Sequence, residues 1–213
     1  MSALGNVIGI VLAGGQSRRM GGGDKCLETL GDAPVLAHVI ARLGPQVSRL
    51  VINANGDVSR FAAFDLPVVP DSLSGFQGPL AGVQAGLAWV AAHHPEISWA
   101  VTVPSDTPFI PCDLVERLAR AAKSSGTMAV ATSEAGVHPV VGLWPVAMRV
   151  ALARSLGAGE RKASRWAEMQ GAAQVCFDEE AVGEARVDPF FNINRPDDLA
   201  AARALLKKAP VPS

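Results

Sequence analysis

Cysteine is scarce in this chain, with only Cys26, Cys112 and Cys176. They are odd in number, far apart and without a C-x-x-C pair, which excludes a redox couple or a thiolate zinc site and reads as free thiols in a reducing compartment. The histidines His38, His93, His94 and His138 also lack ligand spacing, and the neighbours at 93 and 94 diverge on a helix. No apolar run approaches the roughly 20 residues that cross a bilayer. No basic residue precedes the apolar stretch near Met1. Neither a membrane span nor a secretory leader is therefore expected, and a cytoplasmic location is. Net charge is missing too: 19 basic and 20 acidic residues leave −1, with the arginines clustered locally, so no broad basic surface for nucleic acid is expected. With 18% charged and 49% hydrophobic residues the composition is far from that of disordered chains.

The 213 residues suffice for one α/β unit with a sizeable core, and a single domain over 1–213 is expected. The tail 207–213, which contains Pro210 and Pro212, is expected to fray. Short apolar runs alternate with longer amphipathic segments, the βαβ rhythm of a mainly parallel sheet. The expected strands are Val7–Leu12, Leu50–Ala54, Val68–Val69, Trp99–Val103, Met128–Thr132 and Val140–Trp144. Helical spacing of apolar residues predicts helices over Pro34–Leu43, Pro111–Lys123, Pro145–Ser155 and Pro196–Leu206.

The most informative segment is Leu12-Ala13-Gly14-Gly15-Gln16-Ser17-Arg18-Arg19-Met20-Gly21-Gly22-Gly23-Asp24-Lys25, directly after the first strand. Its glycines let backbone N–H groups approach an anion, and Arg18, Arg19 and Lys25 supply charge for a polyphosphate. A Walker A loop is excluded, because Cys26 stands where a Ser or Thr hydroxyl would hold the metal. The G-x-G-x-x-G dinucleotide spacing is absent as well.

Residues at the ends of the other expected strands belong to the same crevice if the sheet is open and parallel. Asp106, between the strand Trp99–Val103 and Pro108, puts a hard oxygen ligand at a strand mouth and suits magnesium; an Asx turn is the plainer alternative. Asn53, Asn55 and Asp71 follow the second and third strands. A buried Asp71 can accept from the N1–H and N2–H₂ edge of guanine, or from a ribose. Gly78-Pro79-Leu80-Ala81-Gly82 is expected to open a helix, with its glycines admitting a flat base. Near the other end, Asn194 reads as a helix cap supported by Asp197 and Asp198, while Asn192 and Asn194 on an alternating strand would present two amides to one side. Cys26, beside Lys25, reads either as a thiol of lowered pKa or as a small side chain behind the loop. The charged segment Gly157–Gly171 reads either as a solvated helix face or as a second phosphate-contacting surface.

The loop follows the L-A-G/A-G-x-S-x-R-M-G signature, ending in a lysine, of sugar-phosphate and cofactor nucleotidyltransferases. In its L-A-G-G and G-x-D-K form it most resembles the molybdenum cofactor guanylyltransferases, the molybdopterin-guanine dinucleotide biosynthesis protein A family. Three further motifs match in order: G-P-L-A-G at 78–82, P-x-D-T-P at 104–108 and F-x-N-x-N at 190–194. The resemblance spans about residues 7–206, with modest departures at Ser105, a position where the family can carry cysteine, and at Gly23. It implies a three-layer α/β/α, Rossmann-like fold with a mainly parallel sheet. It also implies transfer of GMP from GTP to molybdenum-bound molybdopterin with release of pyrophosphate, supported by Mg²⁺ or, in its place, Mn²⁺. GTP contacts are implied for Leu12, Ala13, Gly14, Gly15, Lys25, Asn53, Asp71, Gly78, Gly82 and Asp106. Catalytic roles are implied for Arg19, Lys25 and the metal-holding Asp106, and pterin contacts for Asn192, Asn194 and Arg161. His138-Pro139 matches a family dipeptide of undefined role. A monomer that meets molybdenum insertion proteins or apo-molybdoenzymes only transiently is the implied assembly. The rival readings are a cytidylyltransferase on the same pterin, a sugar-phosphate nucleotidyltransferase, and a GTP-binding regulator without turnover. Gly15 after Gly14 and the closing asparagine pair favour the guanylyl form.

Overall fold

The computed structural model describes residues 6–14, 24–72 and 78–207. Seven strands form the main sheet: β1 (Val7–Leu12), β2 (Arg49–Asn53), β3 (Val68–Val69), β4 (Trp99–Pro104), β5 (Ala129–Ser133), β6 (Gly136–Pro145) and β7 (Ala173–Cys176). Their spatial order is β3-β2-β1-β4-β6-β5-β7, and every neighbouring pair is parallel except those made by β6. β1 lies between β2 and β4, so the chain first moves outward on one side and then crosses to the other. That reversal opens a crevice at the carboxyl ends of β1 and β4, where open α/β sheets bind ligands.

β1 is apolar throughout because both of its faces are covered. Val7 and Val11 enter one core with α1 (Val35–Leu43) and α3 (Leu114–Ser125), while Ile8 and Ile10 enter the other with α2 (Pro79–His93), α4 (Arg149–Gly157) and α5 (Ala163–Met169). On α3 the apolar stripe Leu114, Val115, Leu118, Ala119 and Ala122 is fully buried, as its helical spacing demands. A third cluster joins Leu30, Val35, Phe109, Val182, Val187 and Ile193 to Leu199 and Ala202 of α6 (Pro196–Lys207). It also gathers two small hairpins, Thr29–Leu30 with Ala33–Pro34 and Glu180–Val182 with Ala185–Val187. Among the described residues, no helix is long and apolar enough to cross a membrane.

Several expected boundaries shift. β2 begins one residue earlier than expected, and β4 runs on to Pro104. β6 starts at Gly136, four residues ahead of the apolar run, because pairing with β5 across an irregularity at Val130/Ala131 recruits a partly exposed stretch without an apolar pattern. The prolines at 34, 111 and 145 precede helices rather than begin them: Pro34 is the residue before α1, and Pro145 leads into a 3₁₀ turn before α4. The 157–171 segment contains α5, whose Trp166 is fully buried, stacks on Trp144 at 5.5 Å and donates to Ser155 Oγ at 3.1 Å. One face of this segment is therefore core, not solvated surface.

Candidate active site

A cavity of about 290 Å³ occupies the crevice. Its floor is the end of β1, with Leu12, Ala13 and Gly14, locked to both neighbouring strands: Ala13 N donates to Asn53 O at 2.8 Å, and Ser105 N donates to Leu12 O at 3.0 Å. A Cβ at Gly14 would meet protein atoms no closer than 3.6 Å, so packing does not demand glycine there. The open backbone faces the cavity instead, as a polyphosphate cradle needs. Gly15 and Arg19, with the rest of 15–23, lie outside the described residues.

One wall reads as a hydrogen-bonded frame. Asn53, 2% exposed, donates its side-chain amide to Val69 O at 3.1 Å and to Asp71 Oδ1 at 3.0 Å. Asn55 donates to Asp71 Oδ2 at 2.8 Å, and its own Oδ1 accepts from Asp71 N at 2.8 Å. Both carboxylate oxygens of Asp71 are thus held, each with lone-pair capacity left for a ligand. Gly78 opens α2 at φ +73°, a conformation that favours glycine, and Gly82 faces Asn53 directly. Both line the cavity, but their missing side chains are accounted for by the turn and by Asn53 rather than by an approaching base.

The opposite wall carries the charges. Lys25 Nζ donates to Asn194 Oδ1 at 3.2 Å, and Thr107 Oγ1 donates to Asn192 Oδ1 at 2.6 Å. Residues 191–194 form no strand, so the expected alternation fails; each amide oxygen has its own partner, and Asn192 itself lines the cavity. The start of α6 is capped by Asp198, which accepts from Asn194 N and Arg195 N at 2.8 Å each, and this leaves the Asn194 side chain to Lys25. Asp106 also lines the cavity. Burial raises its carboxyl pKa and the nearby Lys25 charge lowers it, burial being the larger effect. A half-buried carboxylate penalised in this way suits a divalent cation, which would restore the favourable charge balance that desolvation removes. Cys26, buried beside Ser105 and lining the same cavity, has its thiol pushed up to about 11, chiefly by burial. Of its two expected readings, the small side chain behind the loop is the one that fits.

Arg161 is not brought to the cavity. Its guanidinium donates to Leu156 O at 2.7 Å and Glu160 O at 2.8 Å, while Glu160 accepts from the backbone of Arg161 and Lys162 and pairs with Arg165 at 3.4 Å. Those bonds hold the Arg161 guanidinium against its own segment, away from the cavity. His138 also lies off the cavity, although Val140, two residues along β6, lines it. Sequence reasoning missed Arg60, which forms an ion pair with Asp24 of the glycine-loop exit. Asp57-x-Ser59 announces a turn there, but nothing local reveals a partner so distant in sequence.

A switch-point crevice holding a glycine-rich strand exit, a lysine and a strand-end carboxylate defines a nucleotidyltransferase, and residues 9–175 match the family model of the MobA-like NTP transferase domain. The chain is 50% identical over 204 residues to the molybdenum cofactor guanylyltransferase of Mesorhizobium japonicum, covering 95% of this chain and 97% of that one. It is 48% identical to the protein of the same name from Cereibacter sphaeroides, with 95% and 98% covered. It belongs to the molybdenum cofactor guanylyltransferase family, and so to the nucleotidyltransferases of molybdenum cofactor biosynthesis. The crystal structure of molybdopterin-guanine dinucleotide biosynthesis protein A from Archaeoglobus fulgidus shares the fold, with a TM-score of 0.69 at 22% identity over 95% of this chain and all of that one. The manganese complex of Rv0371C from Mycobacterium tuberculosis shares it at a TM-score of 0.64 and 18% identity, over 96% of this chain and all of the other.

Proposed function

We propose that this chain transfers the GMP moiety of GTP to molybdenum-bound molybdopterin, forming the guanine dinucleotide cofactor and releasing pyrophosphate. The observation that carries the reading is the single cavity in which the β1 exit, Lys25, Asp106 and the Asn53–Asn55–Asp71 frame converge. Leu12, Ala13 and Gly14 would cradle the phosphates, with Gly15 and Arg19 continuing that cradle. Asp71, immobilised by two amides, would accept from the N1–H and N2–H₂ edge of guanine, an edge that cytosine and uracil lack.

Asp106 is the residue that would hold Mg²⁺, or Mn²⁺ in its place, with phosphate oxygens and water completing the coordination. Such an ion, when bound, supplies Lewis-acid stabilisation of charge on the phosphate oxygens. The rest falls to the chain's own groups. Lys25 and Arg19 would neutralise the charge that grows on the departing pyrophosphate as the acceptor's terminal phosphate attacks the α-phosphorus. That acceptor phosphate is largely ionised at neutral pH, so no protein base is needed. Asn192 and Asn194 border the acceptor side in this reading, while Arg161 contributes only through the backbone that packs near Gly78, since its side chain is bound elsewhere. The substrates are then GTP and molybdenum-bound molybdopterin, and the enzyme works in the cytoplasm as a monomeric single domain.

The test is incubation with Mg²⁺, molybdopterin and α-phosphate-labelled GTP, with labelled CTP in parallel. Label entering the pterin fraction from GTP alone supports the reading. Label from CTP moves the chain to cytidylyl transfer. GTP binding without pyrophosphate release makes it a regulator.

A further inference from the structure

Arg60 sits in the 3₁₀ turn Val58–Phe64 that follows β2, and both terminal nitrogens of its guanidinium are tied to backbone carbonyls. Nη1 donates to Asp57 O at 2.6 Å and Nη2 to Asn55 O at 2.8 Å, the group lies over the Phe61 ring at 4.7 Å, and Nε is buried against the Asp24 carboxylate in an ion pair without making a hydrogen bond among the described residues. Gly56, at φ +80°, makes the turn between the two carbonyls that the fork grips. The side chains of Arg60 and Asp24 are each 24% exposed, so their pairing is partly shielded from water. Tethered by two backbone carbonyls with its charge against Asp24, the arginine acts through that partner.

That partner is poorly placed on its own. Asp24 lines the cavity in which a polyphosphate would bind, and it immediately precedes Lys25. Its carboxylate makes no capping bond to the turn Lys25–Leu27, although its carbonyl accepts from Leu27 N at 2.9 Å. Released from Arg60, the carboxylate would repel the bound anion and compete with it for the Lys25 ammonium. Arg60 also grips the Asn55 carbonyl while the Asn55 side chain holds Asp71, so one guanidinium spans the lysine side and the frame side of the cavity.

We propose that Arg60 is a positioning residue of the nucleotide site: it neutralises Asp24 and so keeps that carboxylate from competing with the phosphates for Lys25. The proposal rests on the reading of this cavity as a GTP site. It predicts that Arg60→Met weakens GTP binding, measured by calorimetry without any acceptor, by about tenfold or more, and that adding Asp24→Asn in the same chain restores most of the affinity. The same Arg60→Met change in a Lys25→Ala background should cost less, because only the repulsion between Asp24 and the anion then remains. Arg60→Lys, which keeps the charge and stem but not the fork, should bind GTP several-fold more weakly, and serves if the methionine variant does not fold. Wild-type affinity in both Arg60 variants, or a double variant weaker than Arg60→Met alone, overturns the proposal. Because the readout is GTP binding, a failure of label transfer to the pterin would count against the transferase reading without deciding this one.

Discussion

Gly82 and Asn53 share one space: a Cβ built on Gly82 overlaps the Asn53 amide, lying 3.0 Å from its Cγ, and would also stand 3.2 Å from Leu12 Cδ2. The absent side chain on α2 is what lets Asn53 reach Val69 and Asp71. Gly82→Ala is therefore expected to displace Asn53, release Asp71, and cost about 1–3 kcal/mol of stability from overpacking. GTP calorimetry with a denaturant midpoint checks it; unchanged affinity would detach Asp71 from nucleotide recognition.

Asp106 carries the opposite kind of conflict. Burial raises its pKa above the usual 3.8, so the folded state binds its proton more tightly than the unfolded state does. Its contribution to stability is therefore best at low pH and declines as pH rises through 3.8 toward the folded value. Asp106→Asn removes the buried charge, so without metal it should melt at a higher temperature than the wild type at neutral pH. Its turnover should fall by orders of magnitude. Thermal melts beside label transfer measure both; a destabilised, fully active variant would contradict the assignment.

His138 titrates in the other direction. Its pKa is lowered from 6.5 by burial, against the opposing charge of Asp188. Its ring packs against Phe190 at a 45° tilt with centroids 4.5 Å apart, and Ser133 Oγ, which donates to Asp188 at 2.5 Å, accepts from His138 Nε2–H at 2.8 Å. The imidazole stays neutral in the folded chain where the unfolded chain already takes a proton. Its contribution is thus complete above 6.5 and is lost as pH falls below it. Denaturation between pH 8 and pH 5 should show a loss that His138→Gln reduces, whatever its effect at pH 8.

The thiols separate by reactivity. With Cys26 buried and its pKa near 11, and Cys112 and Cys176 exposed, a brief alkylation of native protein near neutral pH should modify only the latter two. Mass spectrometry of native and urea-treated samples tests this. Rapid labelling of Cys26 would mean that the cavity opens readily to its floor.

Much of this architecture could be read before any coordinates. β1 and β3 have the expected bounds because apolar residues buried on both faces, or turns at their ends, mark them. Asp71 and Asp106 could be placed at the crevice because they stand just past strand ends, and Lys25 because it closes the glycine-rich run. β7 was not, since Ala173–Cys176 alternates between half-buried and exposed at the sheet edge and lacks an apolar run. The frame around Asp71 and the Arg60–Asp24 pair escaped for a different reason: a pairing between distant loops leaves no periodicity. Asn194 was assigned to capping because its local setting suits it, but Asp198 took that task and left the amide to a distant lysine.

The lysine and that amide are separated by 169 residues of chain. The main sheet is complete once residue 176 has been added, whereas Asn192, Asn194 and the Ile193 N bond to Asp106 O at 3.0 Å come only afterwards. A chain growing from its amino terminus therefore gains its scaffold first, and only the closing stretch of synthesis supplies the amides that meet Lys25 and Thr107.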